Sequence, residues 1–323
     1  MKRISQKLID TWVQFGPRFL PFADVATDDL PLSRLLRLSL FQVSVGIMLV
    51  LLVGTLNRVM IVELKVPASL VAIMISLPLL FAPFRALIGY RSDTHRSHLG
   101  WRRVPYMWIG TMFQFGGLSI MPFALLVLSG AGQSSNAPAW IGQLGAAVAF
   151  LLVGAGVHIT QTVGLALAND LVKEESQPKV VGLMYVMMLV GMIASALIFG
   201  ELLAEYSPGR LIQVIQGAAI VIMVLNVVAL WKQECRDRAR VAAREVSVSF
   251  SESWSIFCKG NHAIRRLLAV GLGTMAFTME DILLEPYGGE ILNMSVGATT
   301  SLTATLAIGG LLGFALASHV LGK

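Results

Sequence analysis

Long apolar segments separated by short polar stretches dominate the pattern of this chain from residue 38 onward. Eight of these segments are long enough for a helix to cross a bilayer core of about 30 Å. We predict membrane spans at 38–60, 67–90, 103–129, 139–168, 178–204, 210–231, 264–284 and 296–321. The pattern therefore predicts an all-α, polytopic membrane protein.

Two longer polar stretches divide the predicted spans into units. We predict a cytoplasmic interfacial arm over 1–37, a six-helix bundle over 38–231, a cytoplasmic connector over 232–262, and the start of a second bundle over 263–323. In the arm, apolar residues on one helical face beside basic residues favour a helix in the headgroup layer over 2–20, with a floppy basic tail as the alternative. In the connector we predict a surface helix near Ser253–Cys258.

Composition and charge agree with a lipid environment. The chain is 55% hydrophobic and only 14% charged, against about 25% charged in ordinary soluble domains. The net charge of +6 comes from basic residues that flank apolar segments, which indicates contact with anionic headgroups and argues against nucleic acid. Cys235 and Cys258 have no metal-binding spacing, so we interpret them as free thiols on a reducing side.

The distribution of Lys and Arg predicts the orientation of the spans. With the N-terminus on the cytoplasmic side, 21 of these residues, Arg85 among them, fall in cytoplasmic segments. The opposite side then carries only Arg58, Lys65 and Arg210. Because cytoplasmic loops carry an excess of Lys and Arg, this asymmetry predicts a cytoplasmic N-terminus. No cleavable signal peptide is expected, since acids and prolines precede the first apolar run.

The loop after the second predicted span contains a charge pattern typical of transporters. Asp93 is flanked by basic residues and can pair across the helix ends, while a glycine lets helix ends approach closely. The pattern is similar to the cytoplasmic signature of the major facilitator superfamily, with a longer stretch between the Asp and the Arg pair. The matching residues are Gly89, Asp93, Arg102 and Arg103, with Asp170 at the end of the fourth span. A basic loop that only fixes topology is the alternative.

A weak internal sequence repeat favours the same fold. Arg34-Leu35-Leu36 before the first span matches Arg266-Leu267-Leu268 at the seventh, and similar matches open the second and eighth spans. Internal repeats of this kind build many transporter folds. We therefore expect a major-facilitator-like bundle with about eight of twelve helices in this chain.

A polar residue lies deep in the fourth predicted span. His158 precedes Asp170 by twelve residues, or about 18 Å of helix, which places it near mid-membrane. Ionisable side chains there are costly unless they face the protein interior or a ligand. A neutral imidazole can bind the magnesium of a chlorin, and Gln161 and Gln114 are alternative ligands. A hydrogen bond from His158 to another helix is the competing interpretation.

Four carboxylates cluster at the end of the seventh predicted span, among them Asp281 and Glu285 on one helical face. We expect Pro286 and the following glycines to break the helix and free backbone carbonyls for binding. One of these acids is expected to be protonated or paired with Arg58, and a solvated turn is the alternative. The candidate polar residues here are Glu280, Asp281, Glu285, Tyr287, Asn57 and Arg58.

Several motifs resemble one known family. They are His158-Ile-Thr-Gln-Thr-Val-Gly-Leu-Ala-Leu-Ala-Asn-Asp, Leu284-Glu-Pro-Tyr-Gly-Gly, Arg18-Phe-Leu-Pro-Phe-Ala-Asp and Gly54-Thr-Leu-Asn-Arg-Val-Met. Together they are similar to the PucC/LhaA family of light-harvesting complex assembly proteins, nearer to the LhaA branch. The resemblance runs from residue 15 to 290. The family usually has twelve spans, so about four are expected to be absent from this chain.

The resemblance implies a purple phototrophic bacterium and its inner or intracytoplasmic membrane. It implies an assembly factor, favouring the core antenna LH1, that binds and delivers bacteriochlorophyll a, with carotenoid as a second candidate pigment. His158 would be the axial magnesium ligand, with Gln161, Gln114, Glu285 and Tyr287 as further pigment contacts. The implied partners are antenna polypeptides, the reaction centre, bacteriochlorophyll synthase and the lipid bilayer.

Two other function classes compete with this one. A proton-coupled secondary transporter of a small solute or tetrapyrrole would use Glu280, Asp281 or Glu285 as its coupling acid. An enzyme of pigment synthesis is disfavoured, because the chain shows no metal-spaced acid pair, phosphate-binding glycine loop or nucleophile arrangement. We therefore expect a protein that is not an enzyme.

Overall fold

The computed structural model describes residues 32–95, 101–130, 138–234 and 250–321. Within these ranges the chain forms helices and no strand. The helices are α1 Leu32–Glu63, α2 Ala68–Thr94, α3 Val104–Leu128, α4 Ala139–Asp170, α5 Gln177–Leu202, α6 Pro208–Leu230, α7 Phe250–Cys258, α8 Ala263–Glu290 and α9 Val296–Leu321. The helix predicted over 2–20 and Cys235 both lie outside the described residues.

Eight of these helices, all except α7, are long and apolar enough to cross a membrane. The prediction of an all-α, polytopic membrane protein is therefore confirmed. The short α7 coincides with the surface helix predicted in the connector. It exposes Trp254 and Phe257, whose rings stack 5.6 Å apart, and Cys258 at its end is exposed and unbonded.

Two of the spanning helices are irregular. In α1 the backbone widens into π-helical turns at Val50–Leu56 and Val59–Glu63. In α2 a tight 3₁₀ segment, Leu77–Phe81, separates two α-helical parts, and it contains Pro78, which has no backbone N–H to donate. Both kinds of irregularity are frequent at functional sites.

The core lies among α1, α3, α4, α5 and α6, where small residues bring backbones together. An added Cβ at Gly110 in α3 would lie 3.0 Å from the Gly156 carbonyl oxygen in α4. An added Cβ at Gly46 in α1 would lie 2.8 Å from the Met192 nitrogen in α5. The glycines therefore set the spacing of the bundle.

The last two spans attach to this core in different ways. Helix α9 packs along α5, where Gly297 and Gly200 are in close contact. Helix α8 is exposed over most of its length and contacts α1 near its end, around Glu285 and Gly289. The predicted break at Pro286 is wrong, because α8 continues to Glu290 with this proline inside it.

Candidate functional site

Glu285 lies at the contact of α1, α8 and α9 and is 1% exposed. Thr303 donates a hydrogen bond of 2.5 Å to its Oε1, and Thr300 donates one of 3.3 Å to its Oε2. The carboxyl group also packs directly on Gly54 in the π-helical part of α1, where an added Cβ would collide with it. Glu285 is therefore held by hydroxyl donors in a closely packed position.

The side chain of Asn57 explains why α8 continues without a break at Pro286. Pro286 cannot donate a hydrogen bond to the carbonyl of Ile282, four residues earlier. The Asn57 amide instead donates to that carbonyl oxygen at 2.7 Å. The proline thus leaves one carbonyl without a backbone donor, as expected from the sequence, and a side chain of α1 donates to it instead.

Arg58 does not form the ion pair with Asp281 or Glu285 that was considered from the sequence. Its guanidinium contacts Glu63 at 2.6 Å and donates to the Met294 carbonyl oxygen at 2.9 Å. Arg58 therefore links α1 to the segment between α8 and α9. The three other candidates of this region, Glu280, Asp281 and Tyr287, are exposed.

Gln114 belongs to a buried chain of hydrogen bonds across the bundle. Ser44 in α1 donates to Asn226 in α6 at 2.6 Å, and Asn226 donates to Gln114 in α3 at 3.2 Å. Gln114 in turn donates to Thr160 in α4 at 3.0 Å. All four side chains are buried, so the Gln114 amide is used in joining four helices.

His158 lies on α4 against the 3₁₀ segment of α2. The imidazole donates a hydrogen bond to the backbone carbonyl of Pro78, so the bond to another helix that the sequence offered as the competing interpretation is present. One turn earlier an added Cβ at Gly154 would lie 2.6 Å from the Pro78 Cα. Its Nδ1 is buried and has no hydrogen-bond partner among the described residues. A buried ring nitrogen without a partner is unusual in a folded protein and marks a candidate ligand.

The count of Lys and Arg residues assigns Arg85 to a cytoplasmic loop. In the structure it lies inside α2, nine residues before Thr94. The charge count therefore included one residue that is within a span. Its Nε donates to Thr162 at 2.9 Å, and its Nη2 donates to Gln161 at 3.0 Å. Inserting an arginine at the centre of a membrane helix costs about 2.5–3.5 kcal/mol. The charge inside an apolar segment was the signal that could have singled out this residue.

The residues of the transporter-like signature meet at one end of the bundle, which we call the basic end. Arg103 contacts Asp93 at 2.6 Å and Asp170 at 2.7 Å, and Arg102 also pairs with Asp170. These contacts connect α2, α3 and α4. An added Cβ at Gly89 would meet only Thr162, at an ordinary 3.7 Å, so no close approach requires that glycine.

Glu234, just after α6, completes the basic end and was not predicted. Its carboxylate accepts backbone N–H groups of Arg102, Arg103 and Val104 at 2.9–3.3 Å. It therefore caps α3, whose first N–H groups have no partner within the helix. Burial raises the pKa of Glu234 above its ordinary value, although the N–H donors and Arg103 act in the opposite direction.

A cavity of about 600 Å³ lies between α1, α5 and α6. Small residues such as Gly191, Ser195 and Gly217 line it, and Arg210 and Gln213 are its polar residues on α6. None of the predicted pigment-binding residues lines this cavity. Among the described residues, no group of three or more His, Cys, Asp or Glu side chains could hold a metal ion.

Comparison with known proteins identifies the family. The family model described as "PUCC protein" matches residues 55–323. The chain belongs to the PucC family. The protein named "Protein PucC" from Rhodovulum sulfidophilum is 64% identical over 326 residues, which cover 100% of this chain and 72% of that protein. Its namesake from Rhodobacter capsulatus is 63% identical over 310 residues, 95% of this chain and 67% of that protein.

A more distant relative carries a different name. The "Bacteriochlorophyll synthase 44.5 kDa chain" of Rhodobacter capsulatus is 27% identical over 275 residues, 84% of this chain and 60% of that protein. No solved structure matches the chain. The relatives at 63–64% identity are named PucC, and the expected nearness to the LhaA branch stays a prediction.

The matched region of this PucC-family protein contains nearly all of the sites described above. Asn57, Arg85, His158 and Glu285 lie inside it. Gly54, against which Glu285 packs, immediately precedes it, and Ser44 lies earlier in α1. Apart from Ser44, the polar residues of these sites therefore belong to the part of the chain that matches the family.

Proposed function

We propose that this PucC-family protein assists the assembly of a light-harvesting antenna by binding a bacteriochlorophyll at His158. The observation that carries the proposal is the buried Nδ1 of His158, which lacks a partner among the described residues in the middle of a membrane span. The name of the bacteriochlorophyll synthase relative supports a tetrapyrrole as the ligand. The role is that of an accessory protein without enzymatic activity.

The neutral imidazole of His158 would hold the magnesium of the pigment. Gln161 and Gln114 contribute differently, since Gln161 accepts a hydrogen bond from Arg85 and Gln114 is held in the buried chain. They position the site, and His158 is the one of the three whose candidate ligand atom, Nδ1, has no hydrogen-bond partner among the described residues. Carotenoid, the second candidate pigment, would depend on apolar contacts.

Entry of the pigment requires α2 to move away from α4, since Pro78 lies against the imidazole. Helix α2 is suited to this movement. Only 17% of its most apolar stretch of 18 residues is buried. The 3₁₀ segment Leu77–Phe81 also interrupts its α-helical hydrogen-bond pattern. The segment acts as a hinge whose movement uncovers His158 for the pigment.

The family resemblance and the charge asymmetry support the proposed orientation, membrane, partners and cofactor. The basic end faces the cytoplasm, and the protein resides in the inner or intracytoplasmic membrane. The receiving partners are antenna polypeptides, with LH1 favoured, and the reaction centre and bacteriochlorophyll synthase are further partners. The proposed cofactor is bacteriochlorophyll a.

The test is the absorption spectrum of the protein purified from a pigment-making host. We expect bound chlorin in the wild type and a several-fold loss in His158→Ala. The matched control is His262→Asn, which changes an exposed histidine outside the spans, at a positive φ that asparagine tolerates. Absence of chlorin from the wild type, or equal chlorin in His158→Ala, would contradict the proposal.

A second candidate function is proton-coupled transport, because a buried acid lies inside α8. Glu285 is the acid whose protonation would be coupled to transport, since Glu280 and Asp281 are exposed. Proton-driven solute uptake by vesicles containing the wild type, abolished in Glu285→Gln, would favour transport. Intact antenna assembly in that variant without any measurable uptake would exclude it.

A further inference from the structure

The guanidinium of Arg85 is held inside the membrane by neutral partners. Its two hydrogen bonds go to the Thr162 hydroxyl and the Gln161 amide oxygen. Among the described residues no carboxylate lies within ion-pair distance of it. By contrast, Arg58 and Arg103 each contact a carboxylate at 2.6 Å.

Hydrogen bonds to neutral groups orient this guanidinium, but no group in the described part of the chain compensates its charge. A guanidinium has five N–H donors, and Thr162 and Gln161 accept from only two of them. Charges in the interior of a membrane protein are normally paired or mark the path of a ligand. The arrangement is therefore that of a binding site prepared for an anion.

The position of Arg85 relative to His158 indicates which anion fits. Thr162 and Gln161 follow His158 by four and three residues on α4, so they lie about one helical turn, or 5.4 Å, nearer the basic end. A Lewis base with a free nitrogen and a cation are thus adjacent on the same side of α4. A metallated tetrapyrrole presents matching groups, since its metal lies at the ring centre and its propionate extends beyond the ring edge.

We propose that Arg85, oriented by Gln161 and Thr162, binds the free propionate carboxylate of an acidic metallochlorin whose magnesium is bound by His158. This inference rests on the proposed pigment-binding function and specifies its ligand class. The preferred ligand is the free acid, which carries a negative charge, and the esterified pigment is bound less tightly. An ester carbonyl can accept a hydrogen bond from Arg85 but has no charge to pair with the guanidinium, whereas a carboxylate pairs with it and can accept from two of its N–H groups at once.

The preference also implies a place in the order of reactions. A free propionate is the group that an esterification step consumes, when its carboxylate oxygen bonds to the terminal carbon of a long-chain alcohol activated as its diphosphate and the diphosphate leaves. The protein would therefore hold the pigment before esterification and present it to the enzyme class that forms that ester. The esterified bacteriochlorophyll stays bound through His158, while loss of the carboxylate charge weakens the contact with Arg85 and so favours delivery of the finished pigment to the antenna polypeptides.

The experiment compares two probes that differ only in this group. Zinc pheophorbide a, a stable metallated free acid, and its methyl ester are titrated into the purified protein, and binding is followed by the shift of the chlorin absorption bands. We expect the wild type to bind the acid at least tenfold more tightly. A factor of ten corresponds to about 1.4 kcal/mol, close to the contribution of one hydrogen bond to a charged group.

Variants separate the two groups of the site. Arg85→Gln should lose the preference for the acid while its affinity for the ester stays unchanged, which also shows that the variant is folded. Arg85→Lys should retain part of the preference, and Arg91→Gln, which removes an exposed arginine of the same helix, should change neither affinity. His158→Ala should weaken the binding of both probes.

The possible results distinguish this inference from the proposed function. Equal affinities for acid and ester in the wild type, or an equal loss for both in Arg85→Gln, would overturn the role of Arg85 and leave pigment binding in place. Failure of the wild type to bind either probe would overturn the proposed function itself.

Discussion

The hydrogen bond from Asn57 to the Ile282 carbonyl should be needed only because α8 contains Pro286. In the wild type this carbonyl has lost its usual N–H partner, and the Asn57 amide replaces it at 2.7 Å. The substitution Asn57→Ala removes the replacement and leaves a partly buried carbonyl unsatisfied. The substitution Pro286→Ala restores the backbone N–H that can donate to the same oxygen.

The expected magnitudes follow from these two changes. Leaving a buried acceptor without a donor costs about 1–3 kcal/mol, and interhelical hydrogen bonds within membranes are worth about 0.6–2 kcal/mol. We therefore expect Asn57→Ala to lower the free energy of unfolding by about 1–2 kcal/mol. In the Pro286→Ala background the same substitution should cost about 1 kcal/mol less, because the helix then satisfies its own carbonyl.

A double-mutant cycle measures this coupling directly. The four proteins would be unfolded with increasing sodium dodecyl sulfate in mixed micelles, and the loss of helical circular dichroism would report unfolding. A coupling energy near 1 kcal/mol is expected between Asn57 and Pro286. If Asn57→Ala costs the same in both backgrounds, the explanation of the continuous helix is wrong.

Two further predictions concern helix contact and pH dependence. Gly110→Ala places a Cβ against α4 and should destabilise the bundle by about 1–3 kcal/mol. The control is Gly116→Ala in the same helix, where the added Cβ meets no atom within 4 Å and should not destabilise the protein. Thermal unfolding in detergent compares the two variants. Because burial raises the pKa of Glu234, the folded state retains a proton that the unfolded state has released. The stabilising effect of Glu234 relative to Glu234→Gln should therefore be greatest below pH 4.5 and decline as pH rises through the raised pKa. A stability difference between the two proteins that grows with pH would contradict this reasoning.

The spans could be predicted because each helix must satisfy its own backbone in lipid and therefore appears as a long apolar run. Seven of the eight predicted spans lie within about three residues of the observed helices at their N-terminal ends. The first begins six residues earlier, at Leu32, and the seventh ends six residues later, at Glu290. The first discrepancy arises because the basic residues Arg34 and Arg37 can lie in a helix that extends beyond the apolar core.

The predicted end of the seventh span is wrong because the effect of a proline on a helix depends on its tertiary contacts. Proline removes one hydrogen bond from a helix, and the sequence shows that loss at Pro286. It cannot show that Asn57, 229 positions away in the chain, supplies a donor. The helix continues because a contact between distant segments compensates for the local defect.

The polar sites were predicted unevenly for the same reason. The charge pairs among Asp93, Arg103 and Asp170 follow from charges at neighbouring helix ends, and the structure brings these residues together. Glu234 was missed because a single acid after α6 gives no indication that it caps α3. Arg85 was missed because the loop was extended to include it, although its apolar neighbours already place it in the membrane.

The π-helical turns of α1 imply that this segment tolerates insertions and deletions very poorly. An α-helix advances 1.5 Å and turns by 100° for each residue, so removing one residue between Val50 and Asn57 would rotate everything beyond it. Asn57 and Arg58 would then face different neighbours, away from the Ile282 and Met294 carbonyls. Relatives that keep Glu285 and Pro286 should accordingly keep the number of residues in this segment, even where the identities of its lipid-facing side chains differ.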